Sequence, residues 1–181
     1  MVDVTSTTTS SRQIDDLLPR SATLVDAFQT AGEVVADDPV VQSAARLAAH
    51  HRRQWEAEDD SRNAVDVHGV ARAKRSIDQL NQHRVQLVER IDGWVAMRVA
   101  SPDEASLHTE TLGSVVDRLA IAWVRAQQLM ALPSGSRDRA RLALRQLSEL
   151  ADAYDDLVRD VIAGQRRLPS WRPLKTYGMG R

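Results

Sequence analysis

Residues 37–62 read DDPVVQSAARLAAHHRRQWEAEDDSR, and the fold follows from how this stretch begins and how its faces are composed. Asp38 stands where a helix N-cap accepts backbone N–H bonds, and Pro39 takes the first helical position, where its missing N–H costs nothing. At about 100° per residue, Val40, Val41, Ala44, Leu47 and Ala48 form one apolar stripe. The same stripe continues as His51, Trp55, Glu58, Asp59 and Arg62. One face therefore turns from apolar to ionic halfway along the helix. Charge beside a core is costly unless it is paired, hydrogen-bonded or bound to something, which marks this half as a candidate site.

Working outward, a short break at Asn63–Asp66 precedes a long helix that Ser101-Pro102 ends near Ala100. On its buried side lie Ile77, Leu80, Leu87, Val88, Ile91 and Val95, with Arg84 in their midst and Lys74, Asp78 and Asn81 on one shoulder. Upstream, a helical piece at Ile14–Leu18 stops at Pro19, and Ala22–Val35 follows with Leu24, Val25 and Phe28 on one side. Downstream, a helix over about Glu110–Leu132 stops at Pro133-Ser134-Gly135. Ser136 caps another, whose Ala140, Leu144, Leu147, Leu150, Tyr154, Leu157 and Val161 keep heptad-like spacing until Gly164. No stretch alternates with period two, so no sheet is expected. The reading is all-α: an antiparallel bundle of about four long helices with a short N-terminal helix and a non-helical C-terminal tail.

A chain of 181 residues suits one domain, here residues 13–164, after a Ser/Thr-rich tail at 1–12. An aromatic content of 4% against 43% hydrophobic residues means an aliphatic core, as helix–helix interfaces prefer. With 24 basic and 25 acidic residues, no field favours nucleic acid or an anionic membrane. The absence of cysteine removes disulfides, thiolate metal sites and cysteine nucleophiles. No apolar run approaches the roughly 20 residues that span a bilayer, and the first dozen residues lack the features of a signal peptide. A cytoplasmic protein is expected. The tail 165–181 is basic and proline-rich, and its Trp171, Leu174 and Tyr177 are apolar enough to fold back over the bundle and cap a site.

If the two central helices pack antiparallel, Glu58, Asp59 and Arg62 meet Lys74, Asp78 and Asn81 near one end of the bundle. Lys74, Arg84 and Arg62 would clamp a carboxylate or phosphate. Glu58 or Asp78 would serve as acid or base beside Lys74, and Asn81 would orient an oxygen. Trp55, Asp59, Arg75 and Gln82 complete the ligand-contacting set. The competing structural reading is a register network with Glu58–Arg62 and Lys74–Asp78 pairs.

Other chemistries find less support. A di-metal bundle site needs Glu-x-x-His on two helices, and none of His50, His51, His68, His83 and His108 follows a Glu by three. No zinc motif, nucleophile elbow or phosphate loop occurs. A single metal on His51, Glu58 and Asp78 stays open, but no metal or organic cofactor is expected. His50, His83 and His108 read as solvated groups, Trp94 and Trp123 as core or interface, and Gly113 as part of a helix start.

The polar block also carries a resemblance. W-x-x-E-D-x-x-R from Trp55, then A-x-x-K-R-x-I-D-x-L-N-Q-x-R-x-x-x-V-E-x-I-D from Ala71 to Asp92, resembles the bacterial family known only as domain of unknown function 4254. The similarity continues in Glu110-Thr111-x-Gly113-x-x-x-Asp117-Arg118-Leu119-x-Ile121 and in Lys175-x-Tyr177. It implies an all-helical fold and adds Asp117, Arg118, Lys175 and Tyr177 to the ligand-binding candidates. Gly178 and Arg125 depart from the family pattern, where asparagine and lysine are usual. Relatives among envelope-polysaccharide genes hint at sugar or sugar-nucleotide chemistry.

Two functions compete on these grounds. One is a cofactor-independent enzyme or binding protein for a polar, anionic small molecule, in a biosynthetic setting. The other is a helical adaptor, possible as a homodimer, whose polar block only fixes register. The fourth long segment, apolar all round at Val115, Val116, Leu119, Ile121, Trp123 and Val124, suits a central bundle position or a dimer seam.

Overall fold

A computed structural model of the chain describes residues 17–30, 32, 37–63, 67–132, 137–170 and 172. Five helices appear among them: α1 (Ser21–Phe28), α2 (Pro39–Asn63), α3 (Val67–Arg98), α4 (Leu112–Ala131) and α5 (Arg137–Ile162). The all-α bundle read from the sequence is the observed architecture. The N-terminal tail and residues 14–16 lie outside the described residues.

Local chemistry sets the helix starts as expected. Asp38 Oδ1 accepts from the N–H groups of Val40 at 2.7 Å and Val41 at 3.3 Å, so the Asp-Pro start caps α2. Thr111 does the same for α4, its hydroxyl accepting from Ser114 N at 3.3 Å. The α5 helix closes at Gly164, whose φ of 69° is the left-handed conformation glycine adopts freely. The first helix departs from the expectation. It ends at Phe28 instead of Val35, with a turn at Gly32. No side chain of its own caps it. Asp155 of α5 reaches across instead and accepts from Ser21 N and Ser21 Oγ, both at 2.8 Å. Next to it, Tyr154 donates to Pro19 O at 2.9 Å.

One core runs through the bundle. Leu24 and Phe28 of α1, Val40, Ala44 and Leu47 of α2, Leu87 and Ile91 of α3, Val116, Leu119 and Trp123 of α4, and Tyr154 and Val158 of α5 are all buried in it. The α4 helix touches α1, α2, α3 and α5. Its central position accounts for its apolar circumference. Where α3 meets α4 they run antiparallel, since Asp92 bonds Gly113 and Arg84 bonds Asp117. Leu144, expected on the α5 seam, is 41% exposed.

Two expectations are corrected. A minimal sheet exists: β1 (Ser106–Leu107) pairs in parallel with β2 (Arg166–Arg167). Two residues are too few to leave a period-two signal, and the pairing joins segments distant in sequence. His50 is the second correction. It is 0% exposed, because Val40–Ala48 and His50 lie on the covered side of α2. Neither ring nitrogen has a hydrogen-bond partner among the described residues.

Candidate functional site

The site is built where α4 crosses α3. Gly113 sits at the crossing, and a Cβ placed there would lie 2.5 Å from Val88 O and 2.7 Å from Asp92 Oδ1. Only glycine lets the two backbones approach this closely. Its N–H donates to Asp92 Oδ1 at 2.6 Å, so Asp92 of α3 helps cap α4 beside Thr111. Asp92 is 6% exposed and forms no ion pair among the described residues. Burial pushes its carboxyl above the usual range, the bonds from Gly113 and Thr111 oppose that, and the charge of Glu89 one turn away adds to it.

One turn into α4, Asp117 is the opposite case. It is 3% exposed but receives three groups at once. Arg84 Nε donates to both of its oxygens at 3.0 Å, and Arg84 Nη2 donates to Oδ2. His51 Nε2 lies 2.8 Å from Oδ1, and a carboxylate only accepts, so that nitrogen carries the proton. Burial alone would raise the Asp117 pKa. The bonds and charges of His51 and Arg84 outweigh it and hold the carboxyl below its ordinary value. The same bond to Asp117 raises the pKa of the Arg84 guanidinium.

These residues wall a cleft of about 770 Å³. Arg84, Glu89, Asp92 and Val88 come from α3, Ser114, Asp117, Arg118 and Ile121 from α4, and Glu110, Thr111 and Ser170 from the flanking segments. Arg118 forms an ion pair with Glu110 at the rim. Ser170 belongs to the segment after β2, where Leu168 packs partly against the core.

The candidates named from sequence divide into two groups. Arg84, Asp117 and Arg118 come together at the cleft. The others do not reach it. Lys74 precedes Arg84 by ten positions, or about 15 Å of helix. Lys74, Arg75, Asp78, Asn81 and Gln82 are exposed. Trp55 and Glu58 are half-buried, and Glu58 accepts from Gln54 within its own helix at 3.3 Å. Asp59 and Arg62 pair at 3.5 Å with both side chains 61% exposed. The expected convergence of Glu58, Asp59 and Arg62 with Lys74, Asp78 and Asn81 leaves no hydrogen bond or ion pair among the described residues. The Glu58–Arg62 and Lys74–Asp78 pairs are not formed among them either. Nothing described packs over this polar face, so its charges meet solvent and need no partner. Lys175 and Tyr177, with Trp171, lie outside the described residues.

His51 is held by Asp117 and is separate from Glu58 and Asp78. Among the described residues no group of three or more His, Asp or Glu side chains is disposed to hold a metal ion. None of the described helices is long and apolar enough to cross a membrane.

The family model described as "Protein of unknown function (DUF4254)" matches residues 41–170. The chain belongs to this family. The DUF4254 match starts in α2, runs through the whole cleft and ends at Ser170, short of Lys175 and Tyr177. Neither the curated proteins nor the solved structures hold a match to the chain. Within the family motif, sequence reasoning passed over Glu89, Asp92, Glu110, Thr111, Gly113 and Ser114 as site residues. The signal was present, since all but Ser114 are letters of the quoted motif, but only the helix crossing reveals that they share a cleft with Arg84.

Proposed function

We propose that the α3–α4 cleft binds a polar small molecule in a cytoplasmic setting and that Asp92 acts on it as an acid–base group, without a metal or organic cofactor. The observation that supports this is the contrast in pairing. Asp117 is fully neutralised by Arg84 and His51, whereas Asp92 lies equally buried, faces the same cleft, and has its proton held by burial. A carboxyl whose pKa is raised toward working pH can give or take a proton from a hydroxyl brought against it. Arg84 is fixed by its fork on Asp117, which leaves Nη1 for a ligand oxygen. The Thr111 and Ser114 hydroxyls supply further donors.

The lining charge narrows the ligand. Arg84 and Arg118 are both engaged with carboxylates, and Glu89, Asp92, Glu110 and Asp117 outnumber them. That balance favours a hydroxyl-rich ligand over a bare anion. Titration of 15N-labelled protein with glucose, with UDP-glucose and with inorganic phosphate tests this. A sugar-bearing probe should move the Thr111, Gly113 and Ser114 amide signals in wild type and not in Asp92→Asn. Shifts with phosphate alone, or with none of the three, would overturn it.

The exposed set of Lys74, Arg75, Asp78, Asn81 and Gln82 favours a second reading, in which this end of the α2–α3 pair is an interaction surface and the protein a dimeric adaptor. Light scattering of wild type and a Lys74→Glu/Asp78→Lys variant checks it. A dimer that the variant dissociates supports it, and a monomer in both rules out the homodimeric form.

A further inference from the structure

Next to the polar cleft lies a groove of different chemistry. It measures about 880 Å³, and its walls include Trp94, Val95, Met97, Leu112, Val161 and Leu168. Met97 is 75% exposed there. An apolar groove of this size left open to water is unfavourable, and a soluble chain covers such a surface where it can. Groove and cleft share Glu89, Asp92, Thr111 and Ser170, so whatever fills one borders the other.

The chain itself points to the occupant. Arg172 is part of the groove wall, and residues 173–181 follow it directly. A segment tethered at the groove meets it at an effective concentration in the millimolar range, which no free partner matches without tighter contacts. The sequence has a suitable edge. Trp171, Leu174 and Tyr177 recur at every third position, with Pro169 and Pro173 among them. A polyproline II helix has three residues per turn and rises about 3.1 Å per residue, which would align the three on one side over roughly 19 Å.

We propose that residues 173–181 lie along this groove, with Leu174 and Tyr177 against Met97 and Trp94, and close the end of the cleft next to Glu89 and Asp92. This docking is independent of what the cleft binds.

The absence of native cysteine makes the test clean. Met97→Cys is combined in the full chain with one of Leu174→Cys, Lys175→Cys, Thr176→Cys or Tyr177→Cys, and disulfide formation under mild oxidation is followed at low protein concentration. Cysteine at 174 and 177 should couple within the monomer about fivefold faster than at 175 and 176, with the difference lost in denaturant. Equal rates at all four positions would mean an undocked tether and would overturn the proposal. Disulfide-linked dimers in place of monomers would give the groove to a second copy and overturn it equally. A second readout needs no cysteine. Truncation after Arg172 should raise binding of a hydrophobic dye severalfold, and unchanged dye binding would count against the docking.

Discussion

The two halves of α3 carry similar side chains and treat them differently. Lys74, Asp78 and Asn81 in the first half are exposed and make no described bond, whereas Arg84 and Asp92 in the second are held by α4. Helical phase is the same in both. What differs is the neighbour, because α4 begins at Leu112 beside Asp92 and supplies Gly113 and Asp117 to that half. A polar group on a helix becomes part of a site when a second helix removes its water and replaces it with fixed donors.

The sharpest way to break this contrast is Gly113→Ala. The new methyl meets a backbone carbonyl, which cannot swing away, so the helices must separate. A loss of about 3 kcal/mol is expected in denaturant unfolding, at the upper end of overpacking costs. A loss under about 0.5 kcal/mol would show that the crossing is loose.

Next in size is Asp117→Asn. It leaves Arg84 and the proton on His51 Nε2 without their carboxylate, at a cost of about 2 kcal/mol. Arg84 is 39% exposed, so water recovers part of the full penalty for a broken buried pair. Adding Arg84→Met should restore some of the loss, as a double-mutant cycle would record.

The pH dependence separates two buried groups of opposite sign. Burial, with the neighbouring His51, lowers the His50 pKa from 6.5 to about 4. Between these values the unfolded chain binds a proton that the folded chain refuses. The stabilisation is present above 6.5 and lost as pH falls toward 4, by about 2–3 kcal/mol. Asp92 behaves in reverse. Its raised pKa contributes stability below the ordinary carboxylate value that is lost as pH rises through the folded value. Melting temperatures across pH should therefore show His50→Leu flattening the acid limb. Asp92→Asn should be as stable as wild type, or more so, at neutral pH. An unchanged acid limb in His50→Leu would assign the acid sensitivity elsewhere.

The smallest effects belong to the exposed half of α3. Lys74→Ala and Asp78→Ala should change stability by less than about 0.5 kcal/mol. A larger loss in the melting curve would mean that these side chains are engaged after all.

Much of the fold was legible in advance. Asp38-Pro39, Ser101-Pro102 and Gly164 mark their helix ends because each acts locally, through a cap, a missing N–H or a positive φ. The end of α1 was less legible, since its cap is Asp155 of another helix. The site was half legible for a similar reason. Arg84 stood out in the middle of an apolar stripe, but periodicity could not tell it from Lys74, whose side of the helix stays uncovered. His50 shows the converse, since a polar side chain next to the apolar stripe read as solvated while the packing of α2 buried it. Asp92 became meaningful only through Gly113, and the distance from an aspartate to a glycine 21 positions later is set by a crossing angle.

The bond between Ser21 and Asp155 also orders events in time. The α1 helix has eight residues, and isolated helices that short are marginal in water. Its cap lies 134 residues later. At roughly 5–20 residues per second of synthesis, α1 leaves the ribosome roughly ten seconds before the carboxylate that holds it. The segment made first is therefore among the last to be set in place, and the apolar side chains of Leu24 and Phe28 wait in the meantime for a surface that does not yet exist.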